Sequence, residues 1–115
     1  MMSGEDVYNL FEVIVSRANE RQEVKSKITN WDKVFQFKPS DSEAFVLHIA
    51  NGELKLSKGL HPNPSATIEA SSQDLASIVK GELDAVKAFF SGRLKIKGDV
   101  FATQELNNIL KAVST

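Results

Sequence analysis

"AFVLHIANGELKL", residues Ala44 to Leu56, decides how this chain folds. Phe45, Leu47 and Ile49 alternate with Val46, His48 and Ala50; Asn51-Gly52 follows, and then Leu54 and Leu56 alternate with Lys55 and Ser57. Alternation is the period of a strand whose two faces see different surroundings. Asn-Gly tolerates the positive φ that both central residues of a tight hairpin turn require. The stretch reads as an antiparallel hairpin with one apolar face, and that face needs a cover.

The flanking sequence supplies both more sheet and the cover. Upstream, Phe35 and Phe37 alternate with Val34, Gln36 and Lys38 until Pro39-Ser40-Asp41 ends the run, as in a strand and turn. Before it, Val7, Leu10, Phe11, Ile14, Val15 and Ala18 recur at helical spacing behind a capping pair, Ser3 and Asp6. Between Arg17 and Lys27 the chain turns strongly charged while Val24, Ile28 and Trp31 keep the stripe, so helix continues or restarts to about Thr29. Downstream, "KGLHPNPS" is a loop, and "ATIEA" is a fourth strand with Ala66, Ile68 and Ala70 on one side. Ser71 with Asp74, or Ser72 alone, caps a helix carrying Leu75, Ile78 and Val79, which Gly81 ends. Asp84 caps a shorter helix running through Val86, Phe89 and Phe90 to Gly92. Leu94 and Ile96 alternate with Arg93, Lys95 and Lys97 as a fifth strand, and Gly98-Asp99 turns into a last helix with Ala102, Leu106, Ile109, Leu110 and Val113 on its apolar stripe. This order predicts an α+β fold: a five-stranded, mostly antiparallel sheet with helices packed on one face, in one domain over residues 1–115.

Composition narrows the function. The 115 residues carry 14 Lys plus Arg against 15 Asp plus Glu, a net charge of -1, which offers no footprint for nucleic acid. There is no cysteine, hence no disulfide framework and no thiolate site. "MMSGEDVYNL" has no basic segment followed by an apolar run, and no apolar run reaches the ~20 residues of a membrane span, so a soluble, cytoplasmic protein is expected. Catalytic chemistry finds little support. His48 sits on a strand face opposite Phe45, Leu47 and Ile49, His61 sits in a Pro-rich loop, and neither has a ligand-spaced partner. Ser91 follows a helix and lacks the first glycine of a nucleophile elbow, which makes it a helix-end hydroxyl. No catalytic residue, metal site or cofactor is expected. The notable supply is apolar: seven Phe and one Trp for five short strands. The same stripes would serve a packed core or a ligand cavity, and periodicity leaves both open.

"AFFSGRLKIKGD", Ala88 to Asp99, resembles the glycine-bracketed signature of the sterol carrier protein type 2 family, the nonspecific lipid-transfer proteins. Its neighbours agree in order: "VFQFK", the Asn-Gly hairpin, "ATIEASSQDLASIVKGELDAVKAFFSG" and "ELNNILKA", so that the likeness runs from about Val34 to Leu110. The end of the sequence, "KAVST", departs from a Ser-Lys-Leu address. The resemblance implies an apolar tunnel between sheet and helices that accepts fatty acids, fatty acyl thioesters, sterols or phospholipids. It also implies lipid contacts from Phe35, Phe37, Leu47, Ile78, Val86, Phe89, Phe90, Ile96, Phe101, Leu106, Ile109 and Leu110. In this reading one of Phe89 and Phe90 packs on the sheet while the other borders the cavity, since successive helix positions lie about 100° apart. A carboxylate or phosphate head group would meet Arg93, Lys95, Lys97 or helix N-terminal amides. The expected partner is a small lipid, with transient contact to a membrane surface and a homodimer left open. Two other functions stay in play: a dimerisation or accessory domain whose groove takes a protein, and an acyl esterase or thioesterase.

Overall fold

Asn51 and Gly52 have φ of 56° and 72°, the pair of positive values the hairpin turn needs. The computed structural model describes the backbone of residues 4–114 and the side chains of residues 6–114. Ser3 of the expected capping pair lies outside them. The chain runs α1 (Gly4–Asn19), α2 (Gln22–Lys27), β1 (Asp32–Pro39), β2 (Phe45–Ala50), β3 (Glu53–Lys58), β4 (Ala66–Ala70), α3 (Ser72–Val79), α4 (Ala85–Phe90), β5 (Lys95–Gly98) and α5 (Val100–Ser114). The charged stretch after α1 thus restarts as a separate helix. Leu94 is buried but precedes the fifth strand, which begins two residues later than the alternation from Arg93 suggests.

The five strands lie in the order β3-β2-β1-β4-β5. All pairings are antiparallel except β1 with β4, which is parallel. That exception arises because the chain leaves the edge strand β3, passes the outer side of the sheet and re-enters beyond β1. Residues 59–65 make this passage. There the His61 amide donates to Gln36 Oε1 at 2.8 Å, and Gln36 Nε2 donates to Thr67 Oγ1 at 3.3 Å. Gln36, on the face opposite Phe35 and Phe37, is therefore only 8% exposed, held by the loop that crosses it.

Register aligns the inward side chains in rows. Phe45, Phe37, Ile68 and Ile96 oppose one another across four strands; Leu56, Leu47, Phe35, Ala66 and Gly98 form the next row. Helix α1 covers one half of this face, where Phe11, Phe37 and Phe45 form a triangle with ring centroids 5.0, 5.0 and 5.2 Å apart. Such aromatic pairs add to area burial, and this half is densely filled. At its rim the Asn19 side chain pairs with both backbone groups of Leu54, each at 2.9 Å, which occupies part of the β3 edge. Helices α3, α4 and α5 cover the other half, over β4 and β5.

Two glycines bracket β5. Gly92 (φ +84°) releases the chain from α4 with open space around it, whereas a Cβ on Gly98 (φ +95°) would lie 2.5 Å from the Ser65 carbonyl oxygen. Gly98→Ala must therefore shift the β4 backbone as well as strain its own. Gly92→Ala is expected to lower stability by about 1 kcal/mol and Gly98→Ala by clearly more. Urea midpoints check this, and equal losses at the two sites would contradict the close approach.

Candidate functional site: an apolar cavity under α3, α4 and α5

Local chain rules build the three helices around a gap. The Ser71 hydroxyl accepts from the Asp74 amide at 3.0 Å, capping α3, while Asp41 accepts from both the amide (3.0 Å) and hydroxyl (2.7 Å) of Ser72. The expected alternatives, Ser71 or Ser72, thus divide the work: Ser71 caps, and Ser72 ties α3 to the loop after β1. The Ser72 hydroxyl, with its amide, holds the Asp41 carboxyl below the usual carboxylate range. Asp84 caps α4 by accepting from the Val86 and Lys87 amides at 2.8 and 3.1 Å. Asp99 caps α5 through the Ala102 amide at 2.9 Å and reaches Lys33 Nζ on β1 at 3.2 Å. The far end of α5 is tied as well, because the Ser114 hydroxyl donates to the Val79 carbonyl at 2.7 Å.

Between these helices and the sheet lies a cavity of about 260 Å³. Phe37, Ile68 and Ile96, neighbours in one row, line its floor; Leu75, Ile78 and Val79 of α3, Ala85, Val86, Phe89 and Phe90 of α4, and Leu94 line its sides. Helix α5 contributes Val100, Thr103, Gln104, Leu106, Asn107 and Leu110. Among the described residues the lining holds no charged side chain. Apolar cavities of ~150 Å³ stay dry and admit benzene, so this one has room for a longer hydrocarbon.

Of the residues singled out from sequence, Phe37, Ile78, Val86, Phe89, Phe90, Ile96, Leu106 and Leu110 come together on this lining. Phe35, Leu47 and Ile109 are buried in the core and do not line it. Phe101 is 76% exposed on the first turn of α5, outside the lining. The expected division of labour between Phe89 and Phe90 is not what the helix does. Both rings stand at the cavity rim, edge to face with centroids 5.6 Å apart, Phe89 39% and Phe90 81% exposed. Ala88 instead packs inward, and its carbonyl accepts the amides of Arg93 and Leu94 as the chain turns at Gly92. Nor does Arg93 wait for a head group: its Nη2 and Nε donate to the Asp74 carboxylate at 2.7 and 3.2 Å. Lys97 pairs with Glu69 at 3.4 Å. His48 is on the outer face beside Asp32, at 3.1 Å, and His61 Nδ1 accepts from the Asn63 amide; neither lines the cavity.

Sequence reasoning missed Ile68, which opposes Ile96 in register, and the polar α5 residues Thr103, Gln104 and Asn107. Helical spacing contained the signal for these. Thr103 lies three positions before Leu106 and Asn107 three before Leu110, hence on the same face.

A two-layer α+β protein with an apolar cavity between its layers is a class defined by shape. Within it, residues 11–111 match the SCP-2 sterol transfer family, and the chain belongs to that family. The match reaches back into α1, beyond the stretch whose motifs are distinctive. Peroxisomal multifunctional enzyme type 2 of Mus musculus is 51% identical over 45 residues, 39% of this chain and 6% of that protein. Sterol carrier protein 2 of Gallus gallus is 31% identical over 81 residues, 66% of this chain and 15% of that protein. The chain therefore spans a small fraction of the length of these curated relatives. Among solved structures, palmitated SCP2L2 from Aedes aegypti matches with a TM-score of 0.70 at 21% identity over 95% of each chain, a likeness of fold. Among the described residues no helix is long and apolar enough to cross a membrane.

The frame around the cavity titrates. The Ala102 amide, with Lys33 beside it, holds the Asp99 carboxyl below its ordinary value. A depressed folded-state pKa contributes stability that is present above the unfolded value of about 3.9 and is lost as pH falls through the folded value. Thermal melts between pH 5 and pH 2 should show Asp99→Asn losing less stability on acidification than the unmodified protein. Asp41 and Asp84, lowered in the same sense, keep part of the slope in both. Identical acid slopes would contradict the role of Asp99.

Proposed function

We propose that this chain is a non-catalytic carrier that binds one apolar lipid in the cavity under α3, α4 and α5 and hands it to or takes it from lipid surfaces. The observation that carries the reading is the lining: apart from Thr103, Gln104 and Asn107 it is wholly apolar, and it is continuous with the exposed rim at Val86, Phe90 and Val100. Each methylene buried there is worth about 0.8 kcal/mol, and the gain is non-directional, so chain length counts for more than chemical class. Fatty acids, acyl thioesters, sterols and phospholipids all offer such a tail. Family membership supports this reading. The absence of an acid–base pair from the lining supports a carrier over an esterase, which needs a nucleophile and base within hydrogen-bond reach.

Transfer requires the rim to meet a membrane. Val86 and Phe90 of α4 and Val100 and Phe101 on the first turn of α5 are all exposed, Phe90 81% and Phe101 76%, apolar surface that water disfavours and an acyl interface accepts. Lys87, next to Val86 on α4, is exposed as well. In this proposal Phe101 serves the membrane contact rather than the bound tail. A fluorescent lipid moving between vesicles tests both halves. The protein should accelerate transfer, and Phe101→Ala should slow it by up to about tenfold with the equilibrium dissociation constant within twofold. No acceleration by the unmodified protein would sink the carrier reading; unchanged transfer by the variant would sink the docking role.

A further inference from the structure

The two edge strands of the sheet are finished differently. On β3 the Asn19 side chain takes up both backbone groups of Leu54. On β5 the outward groups have no such cover. The Asp99 amide donates to the Ser65 carbonyl at 2.9 Å, and hydrogen-bonding residues alternate along an antiparallel pair, so Lys95 and Lys97 aim their N–H and C=O at β4 while Ile96 and Gly98 aim theirs away from the sheet. β5 is the last strand in the order, and among the described residues nothing pairs with these outward groups.

Side chains divide across this edge. Ile96 faces the cavity, whereas Lys95 and Lys97 lie on the other face of the sheet and are exposed. On that face Glu69 stands opposite Lys95 of β5 and Lys38 of β1 and pairs with Lys97 at 3.4 Å. Three lysines thus share one carboxylate, and the corner favours added negative charge. We propose that β5 is a docking edge for an extended segment of another protein in which one apolar residue stands between two carboxylates. Added as a sixth strand and bonded to Ile96, the segment lays its apolar residue beside Ile96 at the margin of the cavity and sets its two carboxylates opposite Lys95 and Lys97. A second copy of this chain does not fit. Pairing β5 with itself about Ile96 places Lys95 opposite Lys97 twice, like charges directly across strands. Edge lysines exclude that self-pairing and select for the opposite charge. The inference is independent of what the cavity carries.

The test uses the whole chain labelled with nitrogen-15 and the peptide threonine-glutamate-valine-glutamate-valine-threonine, blocked at both ends. Its addition should move the amide signals of Ile96 and Gly98 in a saturable way. Lysine in place of both glutamates should weaken binding about tenfold at low salt, the worth of two reversed cross-strand charge pairs. N-methylation of the first valine removes the donor that meets the Ile96 carbonyl and should abolish binding. Lys95→Glu, an exposed change that leaves the backbone edge in place, should shrink the preference for the glutamate peptide several-fold. Silence at Ile96 and Gly98, binding that survives N-methylation, or equal binding of the lysine peptide to the unmodified protein would each overturn the inference. Lipid transfer is read separately by the vesicle assay, so a chain that carries lipid and ignores the peptide loses this inference alone.

Discussion

Two alanines set the interior of this molecule. Helix α4 is six residues long, and the side chains it directs inward are those of Ala85 and Ala88. A methyl group ends one bond from the backbone, too short to reach Ile68 and Ile96 across the gap between helix and sheet. The larger side chains of the same helix, Val86, Phe89 and Phe90, fall on the rim. On the other half of the same sheet, α1 sends Phe11 onto Phe37 and Phe45, ring against ring. One face of one sheet is therefore dense under α1 and hollow under α4, and this difference in side-chain reach turns a core into a site.

A hollow is stable only if its walls cannot collapse. Here α3 and α5 are tied down by polar contacts outside the cavity: Asp41 to Ser72 for α3, Asp74 to Arg93 between α3 and the turn before β5, Lys33 to Asp99 for the first turn of α5, and Ser114 to Val79 for its last. The contacts are made by short side chains or between elements that are already fixed. Helix α4 has no comparable side-chain tie among the described residues, and its hydrogen bonds are local caps and turns. The frame is rigid where the lipid tail would lie and least restrained where a lipid would pass.

Much of this was legible in sequence because alternation and capping are local signals. The Asn-Gly turn, the caps at Ser71, Asp84 and Asp99 and the stripe of α5 depend on neighbours within a few residues, and they appear where the residues put them. The parallel pairing of β1 with β4, and the burial of Gln36 beneath the crossing loop, depend on residues some thirty positions apart and leave no periodic trace. The site was legible in part for the same reason. Alternation showed that Phe35, Phe37 and Leu47 point inward, but which inward side chain meets a neighbour and which meets a void depends on the opposing helix. Phe35 and Leu47 meet packed side chains; Phe37, one row away, borders the cavity. Phe101 looked apolar enough to be inside, yet its place on the first turn of α5 leaves it in water.

The central claim is that a hydrocarbon occupies the space under α4. Intermolecular nuclear Overhauser effects test it most directly, measured between a bound long-chain alcohol and the isotope-labelled methyl groups of this chain. The account predicts contacts to Ile68, Ile78, Ile96, Val86 and Leu110, and none to Leu47 or Ile49, which are packed beneath α1's half of the sheet. Contacts confined to exposed methyls such as Val13 and Leu60, with silence at Ile68 and Ile96, would contradict it.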